Sequence, residues 1–184
     1  MGDTTPEIKT FEIIVAADEK LGIGYAGSIP WKLPGDIKRF RDLSQGTREA
    51  FKVNCVIMGR KTYLSIPEKF RPLSKRYNIV LTSDPEFNTG VSVAKSFEMA
   101  LEAARNDGFV ETIFVIGGGE VYKAALASEY CSKIHYTLVM KEFECDTFFP
   151  KIDDTVFRLE KPVGECEVHT ENGVNYCYLT FVRM

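Results

Sequence analysis

The 184-residue sequence has only two histidines, His135 and His169, and its five cysteines are scattered without a CxxC pair. Neither a zinc site nor an HExxH site can be assembled from so few ligands, so we expect no metal. An odd number of scattered cysteines favours reduced thiols over a disulfide framework, as is typical of cytoplasmic proteins. The chemistry is therefore expected to come from carboxylates, hydroxyls or a bound cofactor.

Long apolar runs and a strong excess of one charge are also missing. No run approaches the roughly 18 apolar residues that a membrane-spanning helix needs, and residues 1–10 lack the pattern of a secretory signal. The net charge of -3 argues against general binding to a nucleic-acid backbone. We expect no membrane or nucleic-acid partner, a short flexible lead-in over residues 1–10 and one domain over residues 11–184.

Apolar runs rich in β-branched residues predict strands that are covered on both faces. Helical patterns lie between most of these runs, and such alternation is typical of an α/β fold with a mainly parallel, open twisted sheet and helices on both faces. The predicted strands are 11–17, 53–58, 77–81, 91–94, 112–116 and 134–139, and the predicted helices are 35–43, one after Arg60, 96–106 with Ser96 as cap, and 120–126.

The C-terminal pattern differs. Residues 165–170 and 174–182 flank Asn172-Gly173, a dipeptide that favours the positive φ angles of a tight hairpin turn. We therefore predict an antiparallel C-terminal edge hairpin on the sheet. In open sheets of this kind ligands bind beyond the carboxyl ends of the strands, so the loops after residues 17, 58, 81 and 116 are expected to carry the function.

Several groups suited to anions follow these predicted strands. Gly117-Gly118-Gly119 lets backbone N–H groups and a helix start approach a phosphate, although glycine triplets also serve to pack helices on sheets. Gly59-Arg60-Lys61-Thr62 offers two cations and a hydroxyl, or is simply a solvated helix start. Thr82, Ser83 and Lys95 share the same predicted edge. A ligand with several phosphates, such as a dinucleotide, would use all of them.

Asp36 opens a predicted helix, where an acid also favours the helix dipole. However, Asp36, Phe40 and Leu43 fall at i, i+4 and i+7, so the carboxylate projects from the apolar face. A carboxylate in that position needs hydrogen-bond donors from the protein or from a ligand, and burial would raise its pKa. The loop that precedes it has three glycines and ends at the only tryptophan, Trp31, and long loops of this kind are often lids.

A series of short motifs, each weak by itself, follows in a fixed order from about residue 11 onwards. They are Ile14-Val15-Ala16-Ala17, Gly22-Ile23-Gly24, Ile29-Pro30-Trp31, Asp36, Val56-Ile57-Met58-Gly59-Arg60-Lys61-Thr62, Ser65-Ile66-Pro67, Arg71-Pro72-Leu73, Ile116-Gly117-Gly118 and Asp146-Thr147-Phe148-Phe149-Pro150. In order and intervals this series resembles the dihydrofolate reductase family. The resemblance implies that family's fold and the reduction of 7,8-dihydrofolate to 5,6,7,8-tetrahydrofolate, which supports one-carbon metabolism and thymidylate synthesis.

For the substrate, the resemblance implies that Asp36 accepts hydrogen bonds from the pterin amino group and ring N–H, with Thr137 bonded behind it. The resemblance also implies that hydride passes to pterin C6 and that water delivers the proton to N5 while Asp36 binds and polarises the ring. By the same resemblance, Trp31 is expected to help hold that water and Arg76 to pair with the α-carboxylate of the glutamate tail. The other implied substrate positions are Ile14, Val15, Ala16, Ile37, Phe40, Ile66, Leu73, Ile116 and Tyr122.

The implied cofactor is NADPH, and in the family the first two glycines of the triplet are joined by a cis peptide. The implied cofactor positions are Ala16, Ile23, Gly24, Gly59, Arg60, Lys61, Thr62, Leu81, Thr82, Ser83, Lys95, Ile116, Gly117, Gly118, Gly119, Glu120, Val121 and Tyr122. Many relatives have a basic residue where Ser83 stands, so preference for NADPH over NADH would rest more on Arg60, Lys61 and Lys95. Asp36 stands where vertebrate forms have Glu, which should alter the fit of antifolate inhibitors, and Tyr63 replaces a frequent Trp.

Two alternatives remain open at this point. A related reductase that acts on a pyrimidine ribose phosphate shares the fold and cofactor mode, and an inactive nucleotide-binding or regulatory domain would need no substrate. Asp36 with Thr137, together with Arg76, favours folate. The expected partners are dihydrofolate and antifolate inhibitors, with the chain monomeric by itself or fused to thymidylate synthase, as in many protists.

Overall fold

The computed structural model describes residues 7–184, so most of the expected lead-in lies outside the described residues. The strands are β1 (Phe11–Ala17), β2 (Gly22–Gly24), β3 (Val53–Gly59), β4 (Arg76–Leu81), β5 (Ser92–Ala94), β6 (Val110–Val115), β7 (Cys131–Val139), β8 (Thr147–Phe148), β9 (Phe157–Leu159), β10 (His169–Glu171) and β11 (Val174–Arg183). The helices are α1 (Pro34–Gln45), α2 (Arg60–Ser65), α3 (Phe97–Asn106) and α4 (Gly119–Ala127), with 3-10 turns at Glu68–Phe70 and Val163–Glu165. Over the described range no helix combines the length and apolarity needed to cross a membrane.

Within residues 7–184, nine strands form one sheet in the order β10-β11-β7-β1-β6-β3-β4-β5, with β9 also paired to β11. The strands from β7 to β5 are parallel to one another, whereas β11 is antiparallel to β7 and forms antiparallel pairs with β9 and β10. These pairings confirm the predicted α/β fold with a mainly parallel sheet and an antiparallel C-terminal hairpin.

The two faces of the sheet carry different helices because successive side chains of a strand point in opposite directions. Ile13 and Val15 of β1 belong to a core cluster that includes residues of α3 and α4. Ile14, on the opposite face, lies in a second cluster against which Phe40 and Leu43 of α1 pack. Helices therefore cover both faces, as predicted, and α1 lies on the face of Ile14.

One predicted strand is wrong in extent, and three short strands were not predicted. Residues 165–170 were expected to be extended, but Val163–Glu165 form a 3-10 turn and only His169–Glu171 pair with β11. Pro162 fixes the backbone at the start of that turn. The Cys166 N–H donates to the Val163 carbonyl at 3.1 Å, so this N–H and this carbonyl do not pair with a neighbouring strand. The missed strands β2, β8 and β9 have two or three residues each, too few for an alternating pattern to be recognised.

Candidate active site

The carboxyl ends of four strands meet at one edge of the sheet, because β1, β6, β3 and β4 are consecutive neighbours. Gly59 pairs with Leu81, and the Gly59 N–H donates to the Gly117 carbonyl at 2.8 Å. The Thr82 N–H donates to the Ala94 carbonyl at 3.0 Å, which brings the residues before Lys95 to the same edge. The structure thus brings together the loops that the sequence predicted to carry the site.

Asp36 lies in the first turn of α1 and is bound from behind by the sheet. Thr137 of β7, which is buried, donates its hydroxyl hydrogen to Asp36 Oδ1 at 2.7 Å. Burial raises the pKa of Asp36 above its ordinary value of 3.8, while the Thr137 hydrogen bond and the Arg39 charge oppose the rise and the Glu171 charge adds to it. The carboxylate is therefore not a simple helix cap, and its predicted place on the protected face is confirmed.

Apolar side chains of the helix that carries Asp36 join one cluster with residues from the loops at the sheet edge. Phe40 and Leu43 of α1, together with Ile66, Leu73 and Ile116, pack against the cluster that contains Ile14, Val56, Met58 and Phe114. Ile37, a predicted wall residue, is 63% exposed.

Trp31 packs with its ring centroid 5.4 Å from that of Phe143, against a third cluster formed by Leu33, Val139, Val174 and Tyr176. Trp31 is therefore packed into the wall on the side of β7 and β11.

Arg76 lies at the start of β4 and is held without a carboxylate. Its Nη1 donates to Ser44 Oγ at 2.7 Å and its Nε donates to the Ser74 carbonyl at 2.9 Å. None of the ion pairs formed within residues 7–184 includes Arg76, and burial, followed by the nearby charge of Arg41, lowers the pKa of Arg76. A partly desolvated guanidinium of this kind is suited to an anionic ligand.

Ser44 is a site residue that the sequence reasoning missed. It is fully buried near the end of α1, donates to the Phe40 carbonyl at 2.7 Å and accepts from Arg76. The sequence contains a signal for Ser44, because Asp36, Phe40 and Ser44 follow one another at intervals of four residues. This spacing places the Ser44 hydroxyl on the same helix face as Asp36.

The glycines at the sheet edge permit close approach of helices and strands. The Gly117–Gly118 peptide is cis, as the family resemblance implied, and Gly117 has a φ of 125°. A Cβ added at Gly117 would lie 3.3 Å from the Tyr122 ring, and one added at Gly118 would lie 3.3 Å from Thr62 Oγ1. The start of α4 and the start of α2 therefore converge on a concave stretch of backbone that larger residues would fill.

Tyr122 closes this cradle from the core side. Its hydroxyl donates to the Ile14 carbonyl at 2.8 Å, and burial, with a smaller contribution from the Asp36 charge, raises its pKa. The phenol therefore stays protonated and ties α4 to β1, directly below the candidate site.

The basic side chains at the edge differ in their surroundings. Arg60 Nη1 is 3.0 Å from Asp84 Oδ2, and the Arg60 guanidinium lies 5.6 Å from the centroid of the Phe87 ring. Lys61 and Lys95, by contrast, are exposed and belong to no ion pair within the described range. Asp84 was not considered in the sequence reasoning, although it directly follows Ser83. It balances part of the positive charge on which the predicted preference for NADPH rests.

The loop before Trp31 is fixed at its base. The carboxylate of Asp18, which is 1% exposed, accepts the N–H groups of Gly22 at 2.7 Å and Phe143 at 2.8 Å. The Asp146 carboxylate accepts the Ala26 N–H at 2.9 Å, and the Asp146 N–H donates to the Gly24 carbonyl at 2.9 Å. Ile23 and Gly24, predicted to face a nicotinamide, are thus half-buried in a pinned part of the loop, whereas residues 25–29 are exposed.

The fold and the site together define a class, the α/β proteins whose candidate ligand site lies at the carboxyl edge of a parallel sheet. Comparison with known families makes the assignment particular. The family model described as Dihydrofolate reductase matches residues 10–183 of the chain. The chain belongs to the dihydrofolate reductase family, a family of oxidoreductases, as its motifs predicted.

Individual relatives agree with this assignment. The chain is 40% identical over 191 residues to the bifunctional dihydrofolate reductase-thymidylate synthase of Daucus carota, with 100% of this chain and 36% of that protein covered. It is 39% identical to the dihydrofolate reductase of Drosophila melanogaster over 91% of this chain and 94% of that protein. A solved Schistosoma mansoni dihydrofolate reductase superposes with a TM-score of 0.82 at 33% identity, covering 95% of this chain and 98% of its own. The chain therefore spans about a third of the bifunctional relatives' length and nearly all of the shorter ones.

Neutralising Asp36 is expected to stabilise the protein at neutral pH. Because the folded-state pKa of Asp36 is raised above 3.8, the folded state binds this proton more tightly than the unfolded state. The protonated Asp36 carboxyl therefore stabilises the folded state fully below pH 3.8, the ordinary pKa. This stabilisation is lost as the pH rises through the folded-state pKa. We expect Asp36→Asn to increase the free energy of unfolding relative to wild type at neutral pH but not at acid pH, measured by urea denaturation across pH.

Asp42 on the same helix provides the matched control. It is exposed, and its hydrogen bond from Lys38, 2.6 Å long, lowers its pKa. A lowered pKa stabilises the folded state above it, so Asp42→Asn should slightly reduce stability at neutral pH. If both variants lost stability at neutral pH, the desolvation assigned to Asp36 would be wrong.

Proposed function

We propose that this chain catalyses the NADPH-dependent reduction of 7,8-dihydrofolate to 5,6,7,8-tetrahydrofolate. The observation that carries the proposal is the partly buried carboxylate of Asp36, whose only protein donor among the described side chains and backbone groups is Thr137, on Oδ1. A carboxylate in such a position gains most from a ligand that brings its own donors. The amino group and adjacent ring N–H of a pterin supply two parallel donors of the required geometry.

Asp36 is expected to orient the substrate and polarise its ring. Two charge-assisted hydrogen bonds to an ionised carboxylate fix the plane of the ring against the apolar wall formed by Phe40, Ile66 and Ile116. Because the charged carboxylate attracts positive charge onto the ring, protonation of the ring at N5 becomes easier. Water delivers that proton, so the contribution of Asp36 is binding and polarisation.

The tail of the substrate is assigned to Arg76. The Ser44 and Ser74 hydrogen bonds hold its Nη1 and Nε, which leaves its other guanidinium hydrogens for a ligand carboxylate. A guanidinium that is already oriented loses little side-chain entropy on pairing, which favours a bidentate contact with the α-carboxylate.

The residues at the sheet edge fit a phosphorylated dinucleotide. The concave backbone at Gly117 and Gly118 would accept the pyrophosphate, and the basic side chains of Arg60, Lys61 and Lys95 would surround the adenosine end. When bound, NADPH supplies the hydride that reduces pterin C6. Ala16 follows Ile14 and Val15 on β1 and pairs with Thr137, so the residue proposed to contact the nicotinamide lies on the strand next to the residue that binds Asp36.

The remaining assignments are also proposals. Within the described residues all five cysteines are free thiols, which supports a cytoplasmic location. The similarity to bifunctional plant proteins supports either a fusion to thymidylate synthase in the natural gene or a single reductase domain. Antifolate inhibitors that present two adjacent N–H donors would occupy the same carboxylate.

The direct test is a loss of reduced-nicotinamide absorbance when dihydrofolate is added to the NADPH-saturated protein. We expect one equivalent of NADPH to be oxidised for each equivalent of dihydrofolate added, and NADPH consumption to stop when the dihydrofolate is exhausted. Consumption only with a pyrimidine ribose phosphate would support the related reductase, and NADPH binding without consumption of either substrate would support an inactive nucleotide-binding domain. Either result would rule out the proposed activity.

Replacing Arg76 should mainly weaken substrate binding. We expect Arg76→Leu to weaken dihydrofolate binding by about 2–5 kcal/mol, the usual cost of stranding one partner of a desolvated ion pair. Titration of the protein with folate and with a pteroate that lacks the glutamate would measure this, because the wild-type preference for the longer ligand should vanish in the variant. Arg158→Leu is the control, since Arg158 is exposed on β9. A variant that keeps the preference would show that another cation binds the tail.

Releasing Arg60 from Asp84 should increase selectivity for NADPH. The Asp84 carboxylate would compete with the 2′-phosphate for Arg60, and the partly exposed pair itself contributes only about 0.2–1 kcal/mol. We expect Asp84→Asn to raise the ratio of NADPH to NADH affinity by about two- to fivefold. Glu86→Gln removes the same charge from the same loop without touching Arg60 and should change the ratio less. An equal effect of both variants in equilibrium titrations would mean that only the net charge matters.

A further inference from the structure

The helix that carries Asp36 lacks a side-chain cap of its own. Its N-cap position is Leu33, which forms no side-chain cap hydrogen bond, although the first turn of a helix has several N–H groups without helical partners. The hydrogen-bond acceptor for one of these N–H groups comes instead from the C-terminal part of the chain. Glu171, the last residue of β10, accepts the Gly35 N–H on its Oε1 at 2.8 Å.

The residue after Glu171 binds the same segment. Asn172 Nδ2 donates to the Lys32 carbonyl at 2.7 Å. The two contacts come from the last residue of β10 and from the turn that follows it, and they hold the chain on either side of Leu33 and Pro34. The C-terminal hairpin therefore fixes the position at which α1 begins.

Glu171 is itself fixed from the sheet. The buried Tyr176 of β11 donates its hydroxyl hydrogen to the same Oε1 at 2.5 Å, and the His169 ring stacks on Tyr176 with centroids 5.4 Å apart. Burial, followed by the hydrogen bond to Glu171, raises the pKa of Tyr176, so the phenol remains a donor. We refer to Glu171, Tyr176 and the Gly35 N–H as the α1 clamp.

Gly35 is adapted to this clamp. A Cβ added at Gly35 would lie 2.7 Å from Glu171 Oε1 and 2.6 Å from Tyr176 Oη, closer than such atoms approach in folded proteins. The glycine lets both polar groups reach the backbone next to Asp36. A side chain at position 35 would displace the Glu171 carboxylate and the Tyr176 hydroxyl from their present positions.

We propose that Glu171 is a positioning residue for Asp36, which acts by holding the first turn of α1 so that the Asp36 carboxylate meets both Thr137 and the pterin. The proposal rests on the proposed function, since it assumes that Asp36 binds the pterin. Thr137 fixes the carboxylate end of Asp36 and Glu171 fixes the backbone one residue before it. Two anchors on opposite sides define the direction of the side chain, which a single hydrogen bond to Thr137 would not.

Glu171 also acts on Asp36 through its charge. The groups that face Asp36 are Arg39 from its own helix, Thr137 from β7, Tyr122 from α4, Tyr178 from β11 and Glu171 from β10. Of the two other charged groups, Arg39 lowers the pKa of Asp36 and Glu171 raises it. The geometric and electrostatic contributions of Glu171 can therefore be separated by substitution.

Two variants separate them. Glu171→Ala removes the acceptor and the charge, so we expect dihydrofolate binding to weaken about tenfold, the equivalent of one charge-assisted hydrogen bond, with NADPH affinity unchanged within about twofold. Glu171→Gln keeps an oxygen acceptor and should restore dihydrofolate affinity to within about threefold of wild type. Its pH profile for turnover should shift to lower pH, because the charge that raises the pKa of Asp36 is gone. Glu167→Ala, at an exposed position before β10, is the matched control.

The readouts distinguish positioning from general destabilisation. Wild-type dihydrofolate affinity in Glu171→Ala would overturn the proposal, and so would an equal loss of dihydrofolate and NADPH affinity, because positioning affects only the pterin side. A Glu171→Gln variant as weak as Glu171→Ala would also contradict it. Amide hydrogen exchange at Gly35 tests the clamp without any substrate. Faster exchange in Glu171→Ala together with no reductase activity in wild type would mean that the proposed function fails while the clamp exists.

Discussion

The hydrogen bond from Thr137 to Asp36 joins the helix α1 to the centre of the sheet, and its geometry depends on elements from most of the chain. Thr137 is held between Ala16 of β1 and Tyr178 of β11, so it is in place only when parallel and antiparallel partners have both formed. Asp36 is in place only when Phe40 and Leu43 of the same helix pack against the sheet. The Asp36 carboxylate is stabilised there because the buried Thr137 hydroxyl donates a hydrogen bond to one of its oxygens. It remains available to a ligand because the described residues provide no second hydrogen-bond donor.

The proposed cofactor side of the site depends on a different constraint, the close packing of backbone segments at the carboxyl edge of parallel strands. Gly59 and Gly118 each permit an approach of helix to strand that a Cβ would crowd, and Tyr122 ties the arrangement to β1. Arg60, Lys61 and Lys95 add positive charge around these backbone segments. Because Arg60 is paired with Asp84, the proposed affinity for an additional phosphate would depend on a balance of surface charges, whereas the proposed pyrophosphate site would depend on backbone shape.

The sequence was sufficient for what depends on local pattern. Most strands and helices, the helix cap at Ser96 and the protected face of Asp36 follow from periodicity and residue type, and the structure confirms them. Helical spacing places Ser44 on the face of Asp36 but does not reveal its partner Arg76. Asp84 and Glu171 could not be assigned a role, because each acts on a partner that only the tertiary fold brings near; Glu171 and Gly35 are 136 positions apart. The strand expected at 165–170 failed because a proline-initiated turn outweighed its apolar alternation. Thr137 was identified only through the family resemblance, since a threonine in a buried strand has no distinguishing local signal.

The proposed role of Asp36 depends on the ionisation of its carboxyl group, which NMR titration of the carboxyl carbon measures directly. In the free protein we predict a midpoint above the ordinary value of 3.8, because desolvation outweighs the Thr137 hydrogen bond. Saturation with a pterin ligand should lower that midpoint, because two ligand N–H donors stabilise the ionised form. A midpoint at or below 3.8 in the free protein, or one that the ligand leaves unchanged, would contradict the role given to this carboxylate.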